Sequence, residues 1–194
     1  GLPLSEISRR LRAVAPDVVA TSALFSTDLT MVVRLCGLAK AALPQCVTVV
    51  GGLHPTIYPD DVLTLDRELH GTRSAVDWII RGEGELRLPR LLENLQNGVI
   101  DRNQDGLVGR LDSDVFINPQ RDTIADLDAL PFPAYHLLPM ERYFEINVPF
   151  SPVPKGRRVA QMLTSRGCPV GCSFCASTNL YKRYRTHSIA RVVS

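Results

Sequence analysis

Val47-Thr48-Val49-Val50-Gly51-Gly52-Leu53-His54-Pro55-Thr56 is a short β-branched run that ends abruptly on paired glycines. Such a run, bounded by turn formers, predicts a buried strand, because branched side chains suit extended backbone and pack on both faces. The glycines predict a sharp exit, with close backbone approach and access to positive φ. Two similar units flank it. Asp17-Val18-Val19-Ala20-Thr21 follows Pro16, and the run from Val76 to Arg81 stops at Gly82. Between these strands the apolar spacing becomes helical. Leu4 to Val14 is amphipathic. Ser26, Thr27 and Asp28 offer N-cap chemistry for a helix that runs to about Ala42 and is closed by Pro44, and Pro59, Asp60 and Asp61 open a short helix. Glu83 and Glu85 suit a helix N-terminus, with apolar Leu86, Leu88, Leu91, Leu92 and Leu95 behind them.

Strands alternating with helices at this spacing predict an α/β fold with a Rossmann-like, doubly wound parallel sheet over residues 1–97. Ligands of such sheets sit beyond the carboxyl ends of the strands. Three segments occupy that edge, Ser22 to Thr27, Gly51 to Thr56 and Gly82 to Glu85, and together they could line one ligand site. Residues 98–157 read as a small hairpin, Gly106 to Arg110 with Asp114 to Ile117, followed by a proline-bearing linker from Asp126 to Pro139. Arg158 to Thr164 predicts a strand that leads into a cysteine loop and opens a further domain over 158–194.

The composition, 45% hydrophobic and 22% charged, is that of an ordinary globular chain. A net charge of +2 gives no electrostatic reason to expect a nucleic-acid or membrane partner. No apolar run approaches the roughly 18 to 20 residues needed to span a bilayer. Both ends read as cut: the chain opens on Gly1 within an amphipathic stretch and closes at Ser194 inside a helical pattern, so a fragment is expected.

Of five cysteines, three fall within eight residues, in Thr164-Ser165-Arg166-Gly167-Cys168-Pro169-Val170-Gly171-Cys172-Ser173-Phe174-Cys175. A disulfide framework would spread an even number along the chain, whereas clustering points to metal in a reducing compartment, by default the cytoplasm. Iron–sulfur clusters are held by thiolates from short, turn-rich loops, and Gly167, Pro169 and Gly171 supply the bends. Three thiolates on a cubane leave one iron open. A structural zinc site is the alternative, but zinc wants four ligands, and the nearest candidate for a fourth is His187. Cys36 and Cys46 read as small core residues, and His136 and His187 as surface residues.

The cysteine segment resembles the C-x-x-x-C-x-Φ-C signature of the radical S-adenosylmethionine superfamily. The resemblance implies that Cys168, Cys172 and Cys175 hold a [4Fe–4S] cluster, whose open iron binds S-adenosylmethionine. It also implies that Phe174 packs near the adenosyl group and that a β/α barrel begins here. Upstream, Pro16-Asp17-Val18-Val19, the Val49 to Thr56 segment, Arg81-Gly82-Glu83-Gly84-Glu85 and Leu130-Pro131-Phe132-Pro133-Ala134 stand in an order similar to the cobalamin-binding class of that superfamily. The class includes methyltransferases acting on unactivated carbon and the anaerobic cyclase of magnesium-protoporphyrin monomethyl ester. It implies a cobalamin held by Ser22, Ser26, Gly51, Gly52, His54, Gly82, Glu83 and Gly84, a small-molecule substrate, and a reductant protein such as a flavodoxin or ferredoxin. A radical enzyme without cobalamin, or a non-catalytic iron–sulfur or zinc protein, is the alternative.

The match has departures. The class begins with a further strand and helix, and its barrel continues past residue 194, so the fragment alone is expected to be inactive. No Asp-His-Gly motif is present, so no histidine is expected on the cobalt. Bland readings stand beside the functional ones: His54 caps a strand end, Glu83 favours a helix N-terminus, and Lys182-Arg183-Tyr184-Arg185 is a solvated face.

Overall fold

Helix α1 (Leu4–Val14) leads into strand β1 (Val18–Ser22), and a 3₁₀ turn (Ser26–Asp28) opens helix α2 (Leu29–Ala42). Strand β2 (Val47–Gly51) is followed by the five-residue helix α3 (Leu53–Ile57), helix α4 (Pro59–His70), strand β3 (Trp78–Ile80) and helix α5 (Gly84–Gln96). Strands β4 (Leu107–Leu111) and β5 (Asp114–Ile117) form the hairpin. In this computed structural model, residues 2–111, 114–146, 158, 162–181 and 183–194 are described. They fall into two compact units, Gly1–Ile124 with Gly167–Arg183, and Ala125–Arg166 with Tyr184–Ser194.

In the first unit the strand order is β1-β2-β3-β4-β5. β1, β2 and β3 are parallel, as their spacing predicts, and the hairpin then continues the same sheet antiparallel on β3. Strand alternation sorts the core into two faces. Val50, Ile79 and Val108 are register neighbours and pack with Val33 and Cys36 of α2 and Val62 of α4. Val49, Trp78, Ile80 and Leu107 point the other way and pack with Leu91 of α5. All three residues of β3 are buried, as a strand covered on both faces requires. Gly109 lies opposite Trp78, and a Cβ there would overlap the indole ring.

Polar groups pin the sheet from within. Thr48 is buried; its hydroxyl donates to Ala75 O at 2.5 Å and its N–H to the Asp77 carboxylate at 2.7 Å, while Lys40 pairs with that carboxylate at 2.6 Å. Buried Arg87 donates to the carbonyls of Glu83 and Asp122 and pairs with Asp105, tying α5 to the segment after the hairpin. Cys36 and Cys46 are both buried, and burial pushes the Cys36 thiol up to about 11.

The second unit holds a 3₁₀ turn (Tyr135–Leu137) within the stretch from Asp126 to Pro139 read as a linker, and helix α6 (Met140–Ile146) directly after it. Residues 159–161 of the strand expected at Arg158 to Thr164 lie outside the described residues. Met162–Thr164 is irregular, and the strand is β6 (Ser165–Arg166), after which the chain forms α7 (Ser177–Leu180), β7 (Arg185–Thr186) and α8 (Ile189–Val193). β6 pairs antiparallel with β7, so among the described residues no parallel barrel strand appears here. Asp128 accepts from Ser188 N–H at 3.1 Å and lies 3.0 Å from His187 Nδ1, so His187 is a partnered, partly covered residue and not a free surface one. Arg191 stacks over Phe132 at 3.4 Å and donates to Leu130 O. Arg185 is half-buried in the β6–β7 pair, while Arg183 and Tyr184 are exposed.

Candidate functional site

The site is built where β1, β2 and β3 end. Gly52 adopts φ +105°, and a Cβ there would stand 2.5 Å from Ala23 O. Only glycine lets the β2 exit lie so close to the β1 exit. The closeness is used: Ala23 N–H donates to Gly51 O at 2.9 Å and His54 N–H to Ala23 O at 3.2 Å. Thr56 extends the link, its hydroxyl donating to Gly52 O at 2.7 Å and accepting from Gly82 N–H at 2.8 Å. Arg81 Nε also donates to Thr56 O at 3.0 Å. The three edge segments are thus one cross-linked platform. The expected loop from Gly51 to Thr56 is in fact a strand end followed by the start of α3.

His54 is buried at 7% exposure. Its Nδ1 lies 3.0 Å from the Ser26 hydroxyl, its Nε2 3.5 Å from the Asp61 carboxylate, and its ring centroid 5.5 Å from that of Tyr58. Nε2 is buried without a hydrogen-bond partner. His54 therefore does more than cap a strand end. Glu83 directs a carboxylate oxygen to Ile124 N–H at 2.9 Å, a tie across the unit, and it makes no side-chain cap of α5. Gly82, at φ +76°, packs where a Cβ would meet the Gln120 side chain. Ser22 is exposed at the end of β1, and around Gly84 a Cβ would meet open space.

The cysteine loop belongs to the same unit. Gly167 and Gly171 have φ +86° and +62°, the turns expected of a loop that must bend twice. Cys168 is exposed, Cys172 and Cys175 are half-buried, and none forms a disulfide. Cys175 N–H donates to Cys172 O at 3.0 Å, closing a tight turn between two of the thiols. Among the described residues no three His, Cys, Asp or Glu side chains are gathered closely enough to hold a metal as they stand. Drawing ligands together is commonly coupled to metal binding.

Ser26, His54, Phe174 and Cys175 line one cleft of about 410 Å³. Its remaining wall is mainly apolar, from Leu24, Phe25, Leu53, Ile57 and Tyr58. Ser22, Gly51, Gly52, Gly82, Glu83, Gly84, Cys168 and Cys172 are outside that lining. Sequence reasoning missed Phe25, Tyr58 and Asp61. For Phe25 the available signal was an aromatic on a segment already marked as a ligand loop; Tyr58 lies just past the Gly51 to Thr56 segment. Asp61 carried none, because it reads as an ordinary acidic residue in a helix first turn.

Residues 2–92 match the B12 binding domain family. The chain is 34% identical, over its whole length, to cytidylyl-2-hydroxyethylphosphonate methyltransferase of Streptomyces wedmorensis, of which it spans 39%. It is 30% identical, over 97% of its length, to the anaerobic magnesium-protoporphyrin IX monomethyl ester cyclase of Rubrivivax gelatinosus, of which it spans 32%. Its fold is similar to that of the cobalamin-dependent S-adenosylmethionine radical enzyme OxsB, with a TM-score of 0.71 and 21% identity, covering 100% of this chain and 24% of OxsB. The chain spans less than two-fifths of the curated relatives it matches. Among the described residues no helix is long and apolar enough to cross a membrane.

Proposed function

We propose that this chain carries the cofactor-binding part of a radical S-adenosylmethionine enzyme that methylates an unactivated carbon or closes a ring. Cys168, Cys172 and Cys175 are its [4Fe–4S] ligands, each as a thiolate. Ser22, Ser26, Gly51, Gly52, His54, Gly82, Glu83 and Gly84 surround a cobalamin on the strand-end platform. The observation that carries this reading is the shared cleft, in which Ser26 and His54 from the sheet edge meet Phe174 and Cys175 from the cysteine loop.

The residues suit both groups. Three disulfide-free cysteines on a glycine-turned loop are the donor set of an open cubane. A glycine-tight platform beside a mainly apolar cleft suits a large amide-rimmed macrocycle. When bound, the two cofactors supply radical generation from S-adenosylmethionine and a transferable methyl group. The chain's own residues position and shield: Phe174 packs against the adenosyl group, and the apolar wall excludes water. A small-molecule substrate, a flavodoxin- or ferredoxin-type reductant and a cytoplasmic setting complete the reading.

Iron and sulfide analysis with electron paramagnetic resonance on the anaerobically reconstituted protein, with and without S-adenosylmethionine, tests the cluster. About four irons per chain and a reduced-state signal that moves on adding S-adenosylmethionine are expected. Zinc in place of iron would overturn the cluster. Corrin absorbance retained after desalting tests cobalamin, and its absence would leave a radical enzyme whose upstream domain has another use.

A further inference from the structure

The Ser26, His54 and Asp61 side chains form a line from the cleft wall toward solvent. The Ser26 hydroxyl and His54 Nδ1 are 3.0 Å apart, and His54 Nε2 and the Asp61 carboxylate are 3.5 Å apart. A neutral imidazole carries its proton on one nitrogen only, and the choice is set by what faces the other. A carboxylate facing Nε2 favours the proton there, because the other tautomer would point a lone pair at a negative oxygen. Nδ1 is then an acceptor, and the Ser26 hydroxyl must donate to it. That donation uses the only proton the hydroxyl has. What Ser26 presents to the cleft is lone pairs.

The rest of the geometry keeps this arrangement in place. His54 is held from its backbone by Ala23 O, on a helix started by a glycine that no other residue can replace without collision. Its ring lies against Tyr58, and Tyr58 N–H closes onto His54 O at 2.8 Å. The imidazole is therefore fixed before any ligand arrives.

We infer that Ser26, oriented by His54, is an acceptor-only contact on the cleft wall that takes an N–H of a primary amide, with Asp61 selecting the imidazole tautomer. Resting on the cobalamin reading above, this assigns one of the amides on the corrin rim to Ser26 and excludes the nucleotide phosphate, which offers only acceptors. His54 is a positioning residue and acts through Ser26.

Equilibrium binding to the purified full chain, read by corrin absorbance after dialysis, tests it. The probes are cobalamin and the set of its monocarboxylic acids, each with one rim amide replaced by a carboxylate. Ser26→Ala is expected to weaken cobalamin about five- to tenfold, as loss of one hydrogen bond would, and Ser26→Thr to restore it. One isomer of the acid should bind the native chain at least that much more weakly than cobalamin, and the gap should close in Ser26→Ala. Nitrogen-15 NMR of labelled histidine should find the His54 proton on Nε2. Equal cobalamin affinity in Ser26→Ala, a gap that persists there, or a proton on Nδ1 would overturn the inference and leave the cobalamin reading standing. Failure of the native chain to bind cobalamin at all would overturn both.

Discussion

Trp78 and Phe174 are large aromatic residues of one compact unit, and the fold treats them in opposite ways. Trp78 is 6% exposed, set over Gly109 on the neighbouring strand and beside Phe116. Phe174 is 90% exposed on the cysteine loop, at a cleft where Leu24, Phe25 and Tyr58 are exposed as well. The sheet had apolar partners for every side chain on both faces of β3, whereas the strand ends gather apolar groups and leave them uncovered. Single exposed apolar residues are ordinary, but several grouped beside convergent polar groups mark a binding surface. The comparison separates side chains that hold the core from side chains that the fold leaves open at the cleft.

Chemical reactivity should show the largest contrast. A thiol held near 11, against the usual 9.0, carries about a hundredth of the thiolate at neutral pH, and Cys36 is also buried. Alkylation of the native, cluster-free protein followed by peptide mass spectrometry should label the exposed Cys168 at least a hundredfold faster than Cys36. Comparable rates would mean that α2 opens far more readily than its packing indicates.

Stability should divide along the same line. Trp78→Ala is expected to cost about 3–5 kcal/mol in urea unfolding, the range for truncating a buried aromatic, while Phe174→Ala stays within about 0.5 kcal/mol. A large cost at Phe174 would erase the distinction between core and cleft. Gly109→Ala sharpens it further. The new methyl must displace the Trp78 ring, so about 1–3 kcal/mol of destabilisation is expected from one added carbon.

The smallest effect concerns acid. Burial raises the Asp105 pKa, but hydrogen bonds from Arg87 and from the N–H groups of Arg121 and Asp122 outweigh it, and the carboxyl ends below its usual range. A carboxylate depressed on folding contributes stability that is complete above its unfolded pKa and is lost as pH falls through the folded value. Below about pH 4 the native protein should therefore lose stability more steeply than Asp105→Asn, measured by denaturant midpoints across pH. Parallel curves would remove Asp105 from the acid response.

Much of the first unit was legible because its signals are local. The β-branched runs ending at Gly51 and Gly82 report a strand and a forced exit within ten residues, and the three-thiol spacing reports a loop. The five-residue helix at Leu53–Ile57 was not legible, since Pro55 and the paired glycines argue for a loop. What favours the helix includes a non-local tie: the Thr56 hydroxyl, which donates back to Gly52 O, accepts from Gly82 N–H, 26 residues further on. His187 was misread for the same reason, its partner Asp128 lying 59 residues away. Of the stretch from Arg158 to Thr164, Met162–Thr164 is irregular and the paired segment is Ser165–Arg166, while residues 159–161 lie outside the described residues.

The amino-acid sequence alone determined the alternation of strands and helices, the edge on which ligand segments lie, and the trio of cysteines, because each rests on period, turn chemistry or spacing within a short stretch. Only the tertiary structure decided that the hairpin joins the sheet through β3, that Arg87 locks α5 to Asp105, and that Ser26, His54 and Phe174 share a cleft. Those facts depend on register and on side chains brought together from distant positions, and no local pattern encodes them.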